Sequence, residues 1–319
     1  MEQQNLSSTV IEFVLLGLTQ NAELQQCLFV VFFIVYLTSW LGNFTIITTV
    51  ITSHQLHTPM YFLLAILAFL DVSDSSVNAP KLLLGLLSQH GTILFNECIL
   101  QMFFFHFFAS AMVVALVIMA ADRYVAIYKP LCYLTVMNRG MCVGLVAGVY
   151  GILYSALHTG NTFVISFCGG NRVDQFFCDI PQLLKLACSD SDLNESGVIA
   201  FSACLVLSCF VLIVVSYVQI FKTVLRIPSE HGRHKAFSTC LPHVTVVSLF
   251  IFSGIFAYLK PNSSSTSRLD LVVDVFYSVV PPMMNPIIYS MRNKEIKAAM
   301  RKLIGQRLFM INKMFIFLL

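Results

Sequence analysis

Met119-Ala-Ala-Asp-Arg-Tyr-Val-Ala-Ile127 decides how this chain is read. It closes a long apolar stretch, and its Asp122-Arg123-Tyr124 falls where an apolar helix would meet the inner surface of a membrane. A second segment of the same kind, Pro282-Met-Met-Asn-Pro-Ile-Ile-Tyr289, ends the last apolar stretch. Charged, polar or helix-breaking residues are costly against lipid unless they face a protein interior or a water-filled cavity. Two such placements on different helices predict a bundle with a polar, switchable inner end, the plan of a receptor rather than an enzyme.

The composition agrees. The 319 residues are 57% hydrophobic and 11% charged, where a soluble domain carries about 25% charged residues. Seven apolar stretches, 25–51, 59–86, 98–128, 141–166, 197–226, 237–260 and 270–291, are long enough to cross a bilayer. The predicted fold is an all-α membrane protein, a seven-transmembrane helix bundle. Seven crossings place the termini on opposite sides. Of the 19 Lys and Arg residues, only Lys81, Arg172, Lys185, Lys260 and Arg268 fall on the side of the N-terminus. The positive-inside rule then predicts an extracellular N-terminus and a cytoplasmic C-terminus. The expected division is a tail over 1–24, the bundle over 25–291 with a long loop at 161–196, and a cytoplasmic segment over 292–319. The first 24 residues lack a basic region followed by an apolar core, so the first span is expected to insert itself. Asn5-Leu-Ser7 is a glycosylation acceptor on the tail. The basic residues are not clustered, which excludes nucleic acid as a partner.

Cys98, Cys168, Cys178 and Cys188 lie on the oxidising side, where disulfides persist. Four cysteines allow three pairings. The other six read as small packing residues. Loops as long as 161–196 are usually functional or disordered; its cysteines and Phe176-Phe177 predict an ordered lid. No catalytic constellation, metal-ligand spacing or Gly-rich phosphate loop is visible, so neither enzyme activity nor a cofactor is expected. Asn293 to Ile304 has helical amphipathic spacing. Ile296, Met300, Leu303 and Ile304 are expected against lipid, with Lys297, Arg301 and Lys302 at the headgroups.

Several motifs carry a resemblance. They are Leu41-Gly-Asn43, Leu56-His-Thr-Pro-Met-Tyr-Phe62, Leu70-Asp71, the Met119–Ile127 segment, Phe176-Phe-Cys-Asp179, Ser216-Tyr217, Lys235-Ala-Phe-Ser-Thr-Cys240 and the run from Pro282 to Glu295. Together they resemble the olfactory (odorant) receptors, a family of rhodopsin-like G-protein-coupled receptors, over about Glu12 to Ile304. The chain departs from the family pattern at Ala121 (usually Tyr), Tyr128 (usually Cys), Met112 (often an acid) and Asp74 (usually neutral). Its apolar tail, Phe309–Leu319, has no family counterpart.

The resemblance implies a function and a set of residues. A small volatile molecule would bind beneath the lid and activate a stimulatory heterotrimeric G protein, raising cyclic AMP, at the plasma membrane. Met102, Phe105, His106, Ala109 and Ser110 share one helical face by spacing, and in the family that face points into the odorant cavity. Matching positions are Val198, Phe201, Ser202 and Leu205 on the fifth span, Ile251, Ile255 and Tyr258 on the sixth, and Val275 and Ser278 on the seventh. The G-protein switch would comprise Asp122, Arg123, Tyr124, Tyr217, Lys235, Asn285, Pro286 and Tyr289, around a polar core that includes Asn43 and Asp71. Family analogy pairs Cys98 with Cys178 and Cys168 with Cys188. A ligand of about 12 heavy atoms gaining roughly 0.5 kcal/mol per atom would bind at tens of micromolar. The alternatives are a non-olfactory small-molecule receptor of the same fold and a small-solute transporter; the latter predicts internal repeats and paired broken helices, which the sequence does not display.

Overall fold

The computed structural model describes residues 11–19, 21–88, 91–128, 149–168, 170–188, 192–226, 228–258, 275, 281–289, 295–303 and 305. Six long helices follow one another: α1 (Ala22–Thr52), α2 (Pro59–Leu87), α3 (Phe95–Tyr128), α4 (Val149–Val164), α5 (Asp192–Leu225) and α6 (Glu230–Tyr258). Residues 281–289 and 295–303 are also helical. Among the described residues, five helices are long and apolar enough to cross a membrane. The described parts of the fourth and seventh predicted spans, Val149–Val164 and 281–289, are helical pieces of the remaining two.

Local chemistry sets the helix ends. Asn21 caps α1, its side chain accepting the backbone N–H groups of Glu23 and Leu24, as an N-cap residue should. Pro59 opens α2 at a position where a missing N–H costs nothing. The sixth helix begins at Glu230, about two turns before the predicted start at 237. Its first turns carry Glu230, His231, Arg233 and His234, and hydropathy marks only the part of a helix that lies in hydrocarbon.

The third helix is the axis of the bundle, packing against α2, α4 and α5, while α1 runs along α2. Apolar residues on α1 (Ile34, Leu37, Leu41) and α5 (Leu207, Val211, Val215) stay exposed. In lipid that exposure carries no hydrophobic penalty. The hydroxyls of Thr45, Thr48 and Thr52 on α1 each donate to the carbonyl four residues back, which satisfies them without leaving the helix.

Glycine permits a close approach at two helix crossings. A Cβ on Gly42 would stand 3.1 Å from the Pro286 ring, and one on Gly151 would stand 3.2 Å from Phe107. These crossings join α1 to the seventh span and α3 to α4.

The outer end is more ordered than the sequence predicts. Glu12–Leu15 (β1) is a strand inside the expected tail. It pairs antiparallel with Gly91–Leu94 (β2) and parallel with Arg172–Val173 (β3). Phe13 and Leu15 point inward and are buried, while Glu12 is exposed, the period-2 pattern of a half-buried strand. Phe13 packs with Cys98, Met102, Val173, Cys178, Ile180 and Leu183. The tail is thereby part of the lid.

The helix at 295–303 also differs from expectation. Ile296 is fully buried and Met300 packs against the inner core, and the Tyr61 hydroxyl donates to the Glu295 carboxylate. Ile296 and Met300 are thus turned onto the bundle rather than onto lipid. Lys297, Arg301 and Lys302 are exposed. Ile304 lies outside the described residues.

Candidate functional site

The lid is fastened to α3 by two kinds of bond. Cys98 is disulfide-bonded to Cys178, 80 residues away, and Cys168 to Cys188, 20 residues away. One turn along α3, Gln101 accepts the backbone N–H of Cys178 at 3.0 Å and donates to the Val77 carbonyl at 3.3 Å. The amide thus ties α2, α3 and the lid together.

Beneath the lid, the predicted ligand residues fall into three neighbourhoods. Phe105 and Val275 pack in one cluster with Leu82, Phe176 and Phe177; the Phe105 and Phe177 rings are 5.6 Å apart. Met102 is fully buried but packs into the lid cluster around Phe13. His106 and Ser202 are joined through a residue not predicted, His158. His106 Nδ1 donates to the Met102 carbonyl at 2.8 Å, and the ring stacks on His158 at 5.4 Å. His158 in turn bonds Ser202 and packs against Tyr154.

The other predicted ligand residues are less concentrated. Ser110 is buried, its hydroxyl donating to the Phe107 carbonyl, and Ala109 is partly buried. On α5, Leu205 is partly buried and Phe201 is 53% exposed. Ile251 packs with the inner core. Val198, Ile255 and Tyr258 are described only as helical positions, and Ser278 and Asn5 lie outside the described residues.

His158 and Tyr154 carry a signal in the sequence. With Ser155, Thr159 and Thr162 they place polar groups within a membrane span, on the face that also buries Gly151. Such residues nearly always face the bundle interior.

The polar core is built around a missing hydrogen bond. Pro286 has no N–H to give to the carbonyl of Pro282, four residues earlier. Helix α1 supplies the substitute donors. Ser39 Oγ donates to that carbonyl at 3.1 Å and Asn43 Nδ2 at 3.2 Å. Asn43 also donates to the Ser39 carbonyl. Asn285 Nδ2 donates to both carboxylate oxygens of Asp71 at 2.9 Å. Asn43 is therefore a partner of the proline break, and Asp71 is the partner of Asn285. All four side chains, Ser39, Asn43, Asp71 and Asn285, are buried.

The double service of Asn43 gives a testable cost. Asn43→Leu should destabilise by about 1–2 kcal/mol, the loss of a buried bond plus an under-satisfied carbonyl. In a Pro286→Ala background, where the backbone N–H returns, the same substitution should cost less. Melting temperatures of the four proteins in detergent check this; equal costs in both backgrounds would show that the Pro282 carbonyl is not the relevant acceptor.

At the inner end, α3, α5, α6 and the seventh span converge on Arg123. Its guanidinium lies within electrostatic range of Tyr217, Cys240, His243 and Tyr289. Asp122 is buried, while Arg123 and Tyr124 are partly exposed. The Tyr217 hydroxyl and His243 Nδ1 share a hydrogen bond of 2.7 Å, with the rings stacked. Tyr289 is buried and its hydroxyl has no hydrogen-bond partner. Lys235 is described only as a helical position. His243 was not predicted; it falls three residues beyond the Lys235–Cys240 motif.

These features define a multi-pass helical membrane protein of the receptor kind: an aromatic cluster covered by the lid at one end and a partly exposed arginine among buried polar side chains at the other. The sequence model of the olfactory receptor family matches residues 32–307, and the chain belongs to that family, whose members are seven-helix G-protein-coupled receptors and not enzymes. It is similar to olfactory receptor 5AP2 of Mus musculus, 45% identical over 304 residues that cover 94% of this chain and 96% of that protein. Olfactory receptor 5B12 of Homo sapiens is also 45% identical, over 94% of this chain and 96% of its own length. Olfactory receptor 14A16 of Homo sapiens is 45% identical over 94% and 97%.

Proposed function

We propose that the chain binds small volatile molecules beneath the lid and passes that occupancy to a stimulatory heterotrimeric G protein, so that cyclic AMP rises. The ligand residues are Met102, Phe105, His106, Ala109 and Ser110 with Val198, Phe201, Ser202, Leu205, Ile251, Ile255, Tyr258, Val275 and Ser278. The receptor works at the plasma membrane, with the 1–24 tail outside, glycosylated at Asn5, and the 292–319 segment in the cytoplasm among anionic headgroups.

The observation that carries this reading is the course of α3. One helix bears Phe105 and His106 under the lid and Arg123 in the inner cluster. Eighteen residues of helix place the two about 27 Å apart. A ligand shifts the balance between two bundle states only by its differential affinity for them. An aromatic cluster beneath a covalently held lid suits a small apolar ligand with one polar group, and His106, His158 and Ser202 offer polar partners for that group.

A cyclic AMP assay against a mixed odorant panel tests the function. Phe105→Ala should weaken most responses. His158→Phe, which removes the link between α3 and α5, should shift the half-maximal concentration of alcohols and ketones by tenfold or more, about 1.4 kcal/mol, and leave hydrocarbons nearly unchanged. A uniform shift across both ligand classes would mean that His158 only packs.

A further inference from the structure

Four phenylalanine rings close a circuit at the outer end of the bundle. Phe13 of β1 stacks on Phe95 at 6.0 Å and meets Phe167 edge-on at 5.6 Å. Phe163 completes the circuit, 5.2 Å from Phe95 and 6.2 Å from Phe167. Aromatic rings attract at such spacings and tilts. Each ring comes from a different element. Phe95 opens α3, and Phe163 lies in the last turn of α4. Phe167 stands beside the Cys168–Cys188 bridge, and its backbone pairs with Ala187. Phe13 comes from the tail and is fully buried. Its strand is the middle one of the outer sheet. The Val14 N–H donates to the Asn171 carbonyl at 2.8 Å, and the Leu16 N–H to the Val173 carbonyl at 3.0 Å.

The two helices that these rings join are the two that carry His106 and His158. His158 lies five residues before Phe163 on α4, and the Thr162 hydroxyl donates to its carbonyl at 3.0 Å. His106 lies eleven residues after Phe95 on α3. The stacking of the two imidazoles is a contact between α3 and α4, so its geometry follows how those helices are held. Close-packed interiors transmit strain over such distances.

We propose that Phe13 is a positioning residue for ligand recognition: this tail side chain wedges the outer ends of α3 and α4 at the spacing that sets His106 against His158. The role rests on the ligand reading above, in which these imidazoles are polar partners. Phe13 itself touches no ligand. Loss of its ring leaves a void that the surroundings fill only in part, and the two helix ends are then free to shift. A hydrogen bond weakens steeply when its geometry is lost. Apolar contact is non-directional and tolerates the same displacement. Ligands with a polar group therefore suffer more than hydrocarbons.

The test reads the imidazoles first and the response second. In the full-length receptor in lipid nanodiscs, with isotope-labelled histidine, Phe13→Ala should move the NMR ring signals of His106 and His158. The signals of His243, at the inner end, should stay in place. In a cyclic AMP assay at matched surface level, the half-maximal concentrations of alcohols and ketones should rise severalfold, with hydrocarbons nearly unchanged. Phe13→Leu, which keeps most of the volume, should restore part of the loss. Glu12→Ala, on the exposed face of the strand, should match the parent. In a His158→Phe background, Phe13→Ala should add little, because the pair it positions is already broken. Unmoved His106 and His158 signals in Phe13→Ala would overturn the assignment. So would an equal loss across alcohols and hydrocarbons, or the same severalfold loss in the His158→Phe background. Where Phe13→Ala is retained inside the cell, Phe13→Leu carries the comparison: a selective shift supports the role and a uniform one ends it. A parent receptor that answers no odorant fails the functional reading, and the imidazole signals then decide this one alone.

Discussion

Arg123→Ala should abolish odorant-evoked cyclic AMP while surface delivery stays close to that of the parent. Arg123 sits at the inner end of α3 with its charge among Tyr217, Cys240, His243 and Tyr289, groups from three other spans. A partly exposed side chain at the centre of a convergence is the position from which a single residue can reach both the bundle and a docked partner. Arginine at the centre of an interface commonly contributes 2 kcal/mol or more, which is about a thirtyfold loss in affinity for the G protein. Flow cytometry of an N-terminal tag fixes the surface level, and cyclic AMP at saturating odorant gives the response. Arg123→Lys should restore part of it, because the charge returns without the planar fork. A full response from Arg123→Ala at matched surface level would remove Arg123 from the mechanism.

The second large effect is expected at the lid. Cys98→Ser with Cys178→Ser opens a bridge that spans 80 residues. Loop-closure entropy assigns such a bridge roughly 4 kcal/mol. The figure is an upper bound here, because inserted helices already restrict the unfolded chain. Cys168→Ser with Cys188→Ser opens a bridge spanning 20 residues and should cost less, roughly 3 kcal/mol on the same scale. The first pair should also affect ligand response more. It anchors the lid to α3 one turn from Gln101 and Met102 and about two turns from Phe105 and His106, whereas the second closes a local loop. Surface delivery and thermal melting in detergent rank the two double variants. Equal losses, or a greater loss from the second pair, would contradict the view that the lid is held mainly through α3.

The outer sheet shows where local sequence stops being informative. Glu12–Leu15 has an alternating pattern, but four residues of alternation are too few to separate a strand from a polar tail. The partners, Gly91–Leu94 and Arg172–Val173, are distant in the chain and equally short. Only the disulfides and the helix ends bring the three together. The same holds for His158. Its polarity within a membrane span was visible, yet its role rests on facing His106 and Ser202 across two helix contacts. Asn43 was legible as buried and polar, but the carbonyl it serves was not. That carbonyl is orphaned by a proline on the seventh span, 243 residues from one of its donors.

What the amino-acid sequence determined alone was the membrane, the number of crossings and the two inner motifs. Those follow from apolar length and from the cost of placing a charge or an unbonded backbone group in hydrocarbon, both of which are properties of single segments. The tertiary structure decided which polar groups meet: Asn285 with Asp71, Asn43 and Ser39 with the Pro282 carbonyl, His106 with His158, and the N-terminal strand with the lid. Hydrogen bonds reach only about 3 Å, so their partners are set by how helices pack and cross, and no local pattern of residues contains that information.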